Sequence, residues 1–143
     1  MPTCPECGAV YEAEDEDCGG RFEALLALDH SRTEPWGSRH GLAFSVFALQ
    51  HSDRFPPDVA ERAWILLYRV YVEGNDYQRV TAALRRMGRQ NPDWDVPARA
   101  SRRTASFSVT IADLGSFAAD RYIDNLDRWC RATVEAWRGS GSG

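Results

Sequence analysis

Three cysteines crowd the first eighteen positions of this 143-residue chain: Cys4 and Cys7 in the run Cys4-Pro5-Glu6-Cys7-Gly8, and Cys18 just ahead of a helical pattern. Two thiolates three residues apart on a tight turn can grip one tetrahedral ion, and the following glycine leaves the backbone free to fold over the sulfurs. The chemistry implied is metal binding of the zinc-knuckle type. Such a site takes four ligands, and this stretch supplies three. Candidates for the fourth are His30, His40, His51, Cys130 and the carboxylates.

The elements that must position these side chains narrow the choice. Phe22, Leu25, Leu26 and Asp29 fall at helical spacing and predict a first helix from Gly20 to about His30. A break at Thr33-Glu34-Pro35 follows. A second helix is expected from Ser38, as N-cap, to Gln50 or His51, with Leu42, Phe44, Val46, Phe47 and Leu49 burying most of its circumference. A short break predicts antiparallel packing of the two helices. Cys18 and Asp29 are eleven residues apart, as are His40 and His51, so each pair shares a face roughly 16 Å apart along the axis. No single ion can hold both His40 and His51. Antiparallel packing sets His51 level with Cys18, and the reading is a zinc site of Cys4, Cys7, Cys18 and His51. A set with three thiolates is usually closed and structural, its binding energy being folding energy. The plainer account of His51 is a helix-end histidine favoured by the dipole. Cys130 reads as a buried core thiol on the last helix.

The same packing sets Asp29 level with His40 at the other end of the hairpin, with His30, Trp36 and Arg39 close in sequence. A carboxylate orienting an imidazole is the minimal general-base pair and can also be two ligands of a second metal. Asp29 and His40 are therefore the candidate catalytic residues. The plainer alternative is a buried pair that fixes the hairpin register. No nucleophile motif, Gly-rich phosphate loop or His-Glu-x-x-His accompanies them.

Farther on, Phe55-Pro56-Pro57-Asp58 starts a third helix with Trp64, Leu67, Tyr68 and Tyr71 inward and Gly74 at its end. Asn75-Asp76 caps a fourth from Tyr77 to Met87, with Val80, Leu84 and Met87 inward and Gly88 closing it. Residues 89–105 read as a surface loop, and Phe107-Ser108-Val109 as extended. Thr110-Ile111-Ala112-Asp113 is a capping-box-like start to one short turn. Ser116 caps a last helix reaching about Arg138 and carrying Phe117, Tyr122, Ile123, Leu126, Trp129, Cys130, Val134 and Trp137.

The expected fold is all-α, about five helices in a small bundle with an N-terminal zinc knuckle. Residues 1–138 form one zinc-tied domain (knuckle and acidic loop 1–18, bundle 19–138), and 139–143 are a linker or appended tail. No run has the length of a membrane span, and four cysteines clustered this way suit a metal in a reducing compartment, so a soluble cytoplasmic protein is expected. The net charge of -4 argues against a nucleic-acid role. Acids at 12 and 14–17 make a solvated loop or a rim that repels phosphates. Arg79, Arg85, Arg86, Arg89, Arg99, Arg102 and Arg103 read as a solvated surface, interleaved only with Trp94. All 17 basic residues are Arg, which biased codon usage explains and which excludes lysine Schiff-base chemistry.

The CPxCG run, Cys18, the stretch Phe22–Asp29, the helix from His40 to Gln50-His51, and Thr110-Ile111-Ala112-Asp113-Leu114 ahead of an amphipathic helix form one pattern. In these the chain resembles an uncharacterised family of small bacterial proteins known only as a domain of unknown function. The resemblance spans nearly the whole chain outside 89–105. The family commonly has Glu where this chain has Asp29, and Pro where it has Ser52. The resemblance implies zinc binding and a helical fold and brings no activity. Two functions lead, with a zinc-knuckle regulator contacting nucleic acid through the Arg-rich region as a weaker third: a binding or accessory module with a structural zinc, whose partner is a protein or a small ligand, and a small-substrate enzyme in a specialised bacterial pathway. The enzyme would use Asp29 and His40, or the zinc with an open position.

Overall fold

A computed structural model describes residues 3–12, 16–31, 33–87, 96–97 and 107–139. Among them are five α-helices: α1 Cys18–His30, α2 His40–Gln50, α3 Pro57–Tyr71, α4 Tyr77–Met87 and α5 Ala119–Gly139. Short 3₁₀ turns lie at Gly37–Arg39, Ser52–Arg54 and Ile111–Leu114. The architecture is all-α. Its one sheet-like feature among these residues is an isolated antiparallel bridge between Thr3 and Val10, which closes the Cys4–Cys7 turn.

α1 begins two residues ahead of the Gly20 start expected from periodicity. The carboxylate of Asp17, in the acidic run, accepts from the Gly20 N–H at 3.0 Å and so draws Cys18 into the first turn. The buried residues Cys18, Phe22, Leu25 and Asp29 then form one stripe. α2 lacks the expected Ser38 cap, because Ser38 sits inside the 3₁₀ turn and its hydroxyl donates to Glu34. One unpaired N-terminal N–H of α2, that of Gly41, is instead met by the Tyr77 hydroxyl from α4 at 3.0 Å.

α2 is the centre of the bundle: eight of its eleven residues are buried, and α3, α5 and α1 pack around it. Its polar Gln50 is buried because its amide donates to the Val109 carbonyl (2.8 Å) and to Thr133 on α5 (2.9 Å). The Trp137 indole donates to the Leu49 carbonyl at 3.0 Å, so α5 satisfies the end of α2 twice. α3 starts with proline in its first turn and buries Trp64 and Leu67. Tyr68 and Tyr71 are half-buried, with the Tyr71 hydroxyl donating to Asp127 at 2.8 Å. α3 gives way at Val72, before the Gly74 expected to end it, and Gly74 follows in the left-handed region at φ 73°. α4 spans the expected residues and buries Val80 and Leu84.

The expected capping box at Thr110 and Asp113 is present, opening the Ile111–Leu114 turn. No strand forms at Phe107–Val109; the Phe107 N–H pairs singly with the Cys7 carbonyl at 3.0 Å. Nor is Ser116 the cap of α5. Gly115 and Phe117 both take positive φ (61° and 63°), and this reversal buries the Phe117 ring while its carbonyl accepts from the Trp36 indole. The helix therefore starts only at Ala119. On α5, Tyr122, Leu126, Trp129, Cys130, Val134 and Trp137 are buried, whereas Ile123, expected on that stripe, is 37% exposed.

Of the 89–105 loop only Val96 and Pro97 are described, and the Pro97 carbonyl accepts from the Trp64 indole at 2.8 Å. Gly88, Arg89, Trp94, Arg99, Arg102 and Arg103, the Met87 side chain, and Glu14 and Asp15 of the acidic run lie outside the described residues.

Candidate metal centre and a second polar site

The candidate residues gather at the two ends of the α1–α2 hairpin. Phe22 of α1 stacks on Phe47 of α2 with ring centroids 4.0 Å apart, and the helices run in opposite directions about that contact. The start of α1 therefore meets the end of α2, and the end of α1 meets its start.

At the first end, Cys4, Cys7, Cys18 and His51 bring four donor atoms within 4.8 Å of one another, all buried. A tetrahedral ion with sulfur ligands at about 2.3 Å separates them by about 3.8 Å, and Cys7 and Cys18 lie 3.5 Å apart. Each donor has a local cause. Gly8 takes φ 85° and donates to the Cys4 carbonyl at 2.9 Å, and the Cys4 N–H donates to Ala9, which together turn both sulfurs inward. Cys18 occupies the first turn of α1, where the helix dipole favours a thiolate. His51 donates from Nδ1 to the Phe47 carbonyl at 2.9 Å and stacks on the Phe47 ring at 4.1 Å. That bond leaves Nε2 as the lone-pair nitrogen, and Nε2 is buried with no hydrogen-bond partner. A buried acceptor left empty costs about 1–3 kcal/mol, which a metal ion would relieve. The four residues fit a bound metal ion.

The electrostatics agree. Cys18 is lowered to about 4, first by the Cys7 thiol that donates to it and also, against the burial penalty, by the Tyr11 hydroxyl. Cys7 is pushed up by that same bond and by burial. One sulfur is thus held as thiolate while its neighbour keeps the proton that an ion would displace. Two further groups surround the sulfurs. The Tyr11 hydroxyl lies 2.7 Å from the Cys18 sulfur and donates to its thiolate form. Arg54 pairs with Glu6 at 2.5 Å; burial opposes its charge, but Glu6, Cys4 and Cys18 together hold it cationic. Neither was apparent from sequence: Tyr11 sits in an irregular loop and Arg54 lies 48 residues from Glu6. Cys130 stands apart as a fully buried thiol, its pKa raised by burial, on α5.

At the second end, His40 Nδ1 lies 2.9 Å from Asp29 Oδ2. The Asp29 side chain is fully buried and that of His40 is 40% exposed, so the exposed edge of the ring is the one away from the carboxylate. Burial raises Asp29 despite the opposing pull of His40 and His30, and its Oδ1 has no partner. The pair borders a cavity of about 540 Å³ between the end of α1, the start of α2 and α4. His30 is exposed, its ring centroid 5.4 Å from that of His40. Of the sequence neighbours, Trp36 turns away to Phe117 and Tyr122, and Arg39 borders an adjoining cavity. The α4 side of this cavity, where Tyr77, Gln78, Thr81, Leu84 and Arg85 share one face, is not apparent from the sequence. Their helical spacing was legible, but not what that face would meet.

No helix of the described residues is long and apolar enough to cross a membrane. No curated protein and no solved structure gives a significant match to the chain. Residues 2–138 match the profile of a family described as a family of unknown function, DUF5946. With nearly its whole length covered and a Cys3His cluster at its core, the chain belongs to that family of unknown function.

Proposed function

We propose that the protein is a small zinc-tied helical binding module whose metal is structural. The observation that carries this reading is the convergence of Cys4, Cys7, Cys18 and His51, three sulfurs and one nitrogen, all buried. Soft thiolates with one imidazole select zinc over hard cations, and zinc accepts this tetrahedral set without redox chemistry. The burial of every donor supports a closed site rather than one with an open position for substrate. In such a site the ion joins a turn that has almost no core of its own to the hairpin of α1 and α2. The test is metal analysis of the purified full chain: one zinc per chain, removable only with loss of helical signal, is expected. A metal-free chain with full helicity would refute it.

A second reading, a small-substrate enzyme in a specialised bacterial pathway, is favoured by one observation: the Asp29–His40 pair lies at the edge of a cavity. A carboxylate on Nδ1 leaves Nε2 able to accept a proton.

A further inference from the structure

The cavity beside Asp29 and His40 does not end there. A second hollow of about 320 Å³ adjoins it, and the two share His40, Gly41 and Leu84 as common walls. The first is mixed in character, with the polar side chains of Asp29, His30, Tyr77 and Arg85 among its walls. The second is mainly apolar, walled by Phe44, Val59, Ala63 and Leu66, with Arg62 at its side donating to the Leu84 carbonyl at 2.8 Å. Each has the size of a small-ligand pocket. Taken together as one trough, they offer an end with charged and hydroxyl side chains and an apolar end, with the His40 imidazole on the walls of both.

We propose that this trough binds a small monoanion with a short apolar tail, a carboxylate whose head meets Arg85 and Tyr77 and whose tail lies against Phe44, Val59 and Leu66. The inference rests on the second reading above, in which the Asp29–His40 cavity is a working site, and names its ligand class. The sign of charge follows from the walls. Arg85 is an exposed guanidinium, and Asp29 holds its carboxylate buried behind His40. A guanidinium pairs with a carboxylate through two parallel hydrogen bonds. Asp29 repels any anion, but a dianion such as a phosphate monoester about twice as strongly as a monoanion, so a single negative charge suits the site better. Tyr77 supplies a neutral donor: its oxygen accepts from the Gly41 N–H, leaving its proton to give, and burial raises its pKa so that the proton stays. The arrangement depends on Gly41, since a Cβ there would collide with the Tyr77 hydroxyl. Asp29 Oδ1 is fully buried and unpartnered beside the cavity; a carboxylate has no proton to give it, so a water carried in with the ligand is the group that would satisfy it.

The test uses the full zinc-loaded chain and hexanoate as probe, with acetate, hexylamine and hexanol as comparators at constant ionic strength. Binding is read by two-dimensional amide NMR. Hexanoate should give saturable shifts at Gly41, Tyr77 and Leu84. Acetate should bind more weakly for want of a tail, and hexylamine should not bind. Arg85→Ala, on the exposed face of α4, should weaken hexanoate about three- to tenfold, between the effect of an exposed ion pair and that of a hydrogen bond to a charged group. Val59→Ser should weaken hexanoate and leave acetate unchanged. Zinc content serves as the folding control for both variants. Hexanol or hexylamine binding as well as hexanoate, or an Arg85→Ala chain with unchanged affinity, would overturn the anionic class and leave the cavity standing as a site. No shift at the cavity amides with any of the four probes would overturn both the ligand class and the acid–base reading beneath it.

Discussion

Replacing His51 by glutamine separates the role of one ligand from the packing of its ring. Glutamine is close to histidine in length and polarity but is a poor zinc ligand. Without metal the cluster is strained electrostatically: two thiolates at the 3.5 Å separation of Cys7 and Cys18 would repel by about 5 kcal/mol at an effective dielectric near 20. The metal-free chain avoids it by letting the Cys7 thiol donate to Cys18, so that one sulfur is lowered to about 4 while the other keeps its proton. An ion at the centre replaces that proton and reverses the sign of the interaction. Structural zinc contributes about 10–16 kcal/mol of apparent binding energy near neutral pH, comparable to the whole stability of a domain. Shared over four ligands this is roughly 3 kcal/mol each, or about a hundredfold in dissociation constant. Zinc affinity measured by competition with a chromophoric chelator should therefore fall about a hundredfold in His51→Gln. Chelation of the native chain should lower its thermal midpoint by more than about 10 °C, as the loss of several kcal/mol implies. A variant that holds zinc as tightly as the native chain, or a metal-free chain with an unmoved midpoint, would refute the reasoning.

Three further outcomes are expected. Tyr11→Phe removes the hydroxyl 2.7 Å from the Cys18 sulfur and should weaken zinc about 10- to 100-fold, as outer-shell partners of metal ligands do; the chelator competition reads it directly, and an unchanged constant counts against the bond. Burial holds Asp29 above its ordinary 3.8, so just above that pH the folded chain keeps a proton that the unfolded chain has released. Stability falls as pH rises through that window. Asp29→Asn should remove this slope and leave neutral-pH stability equal or higher in denaturant unfolding, whereas an unaltered slope would contradict the assignment. Gln50→Leu leaves the Val109 carbonyl without its amide donor in the core and should cost about 1–3 kcal/mol in denaturant unfolding; a neutral or stabilising result would show that apolar packing there outweighs the lost bond.

Much of this protein was determined by short-range pattern. The CPxCG turn and the apolar stripes of α1 and α2 are local, and the equal eleven-residue spacings Cys18–Asp29 and His40–His51 made both ends of the hairpin computable from 1.5 Å per residue. The capping box at Thr110 and the span of α4 were legible for the same reason: helix rules act over three or four residues. Ser116 and Ser38 failed as caps because a serine before a helix is only permission to start one. Tertiary contacts overrode it, with the buried Phe117 turn delaying α5 and the Gly37–Arg39 turn absorbing Ser38. What only the tertiary structure decided is whatever needs partners distant in sequence. Tyr11 is aimed at Cys18 across an irregular loop, Tyr77 reaches Gly41 from 36 residues away, and α4 is set so that Arg85 and His40 wall the same trough. A residue's type states which bonds it can make, and its periodicity states which side of its own helix it occupies. Which other surface that side meets is set by the packing of the whole chain.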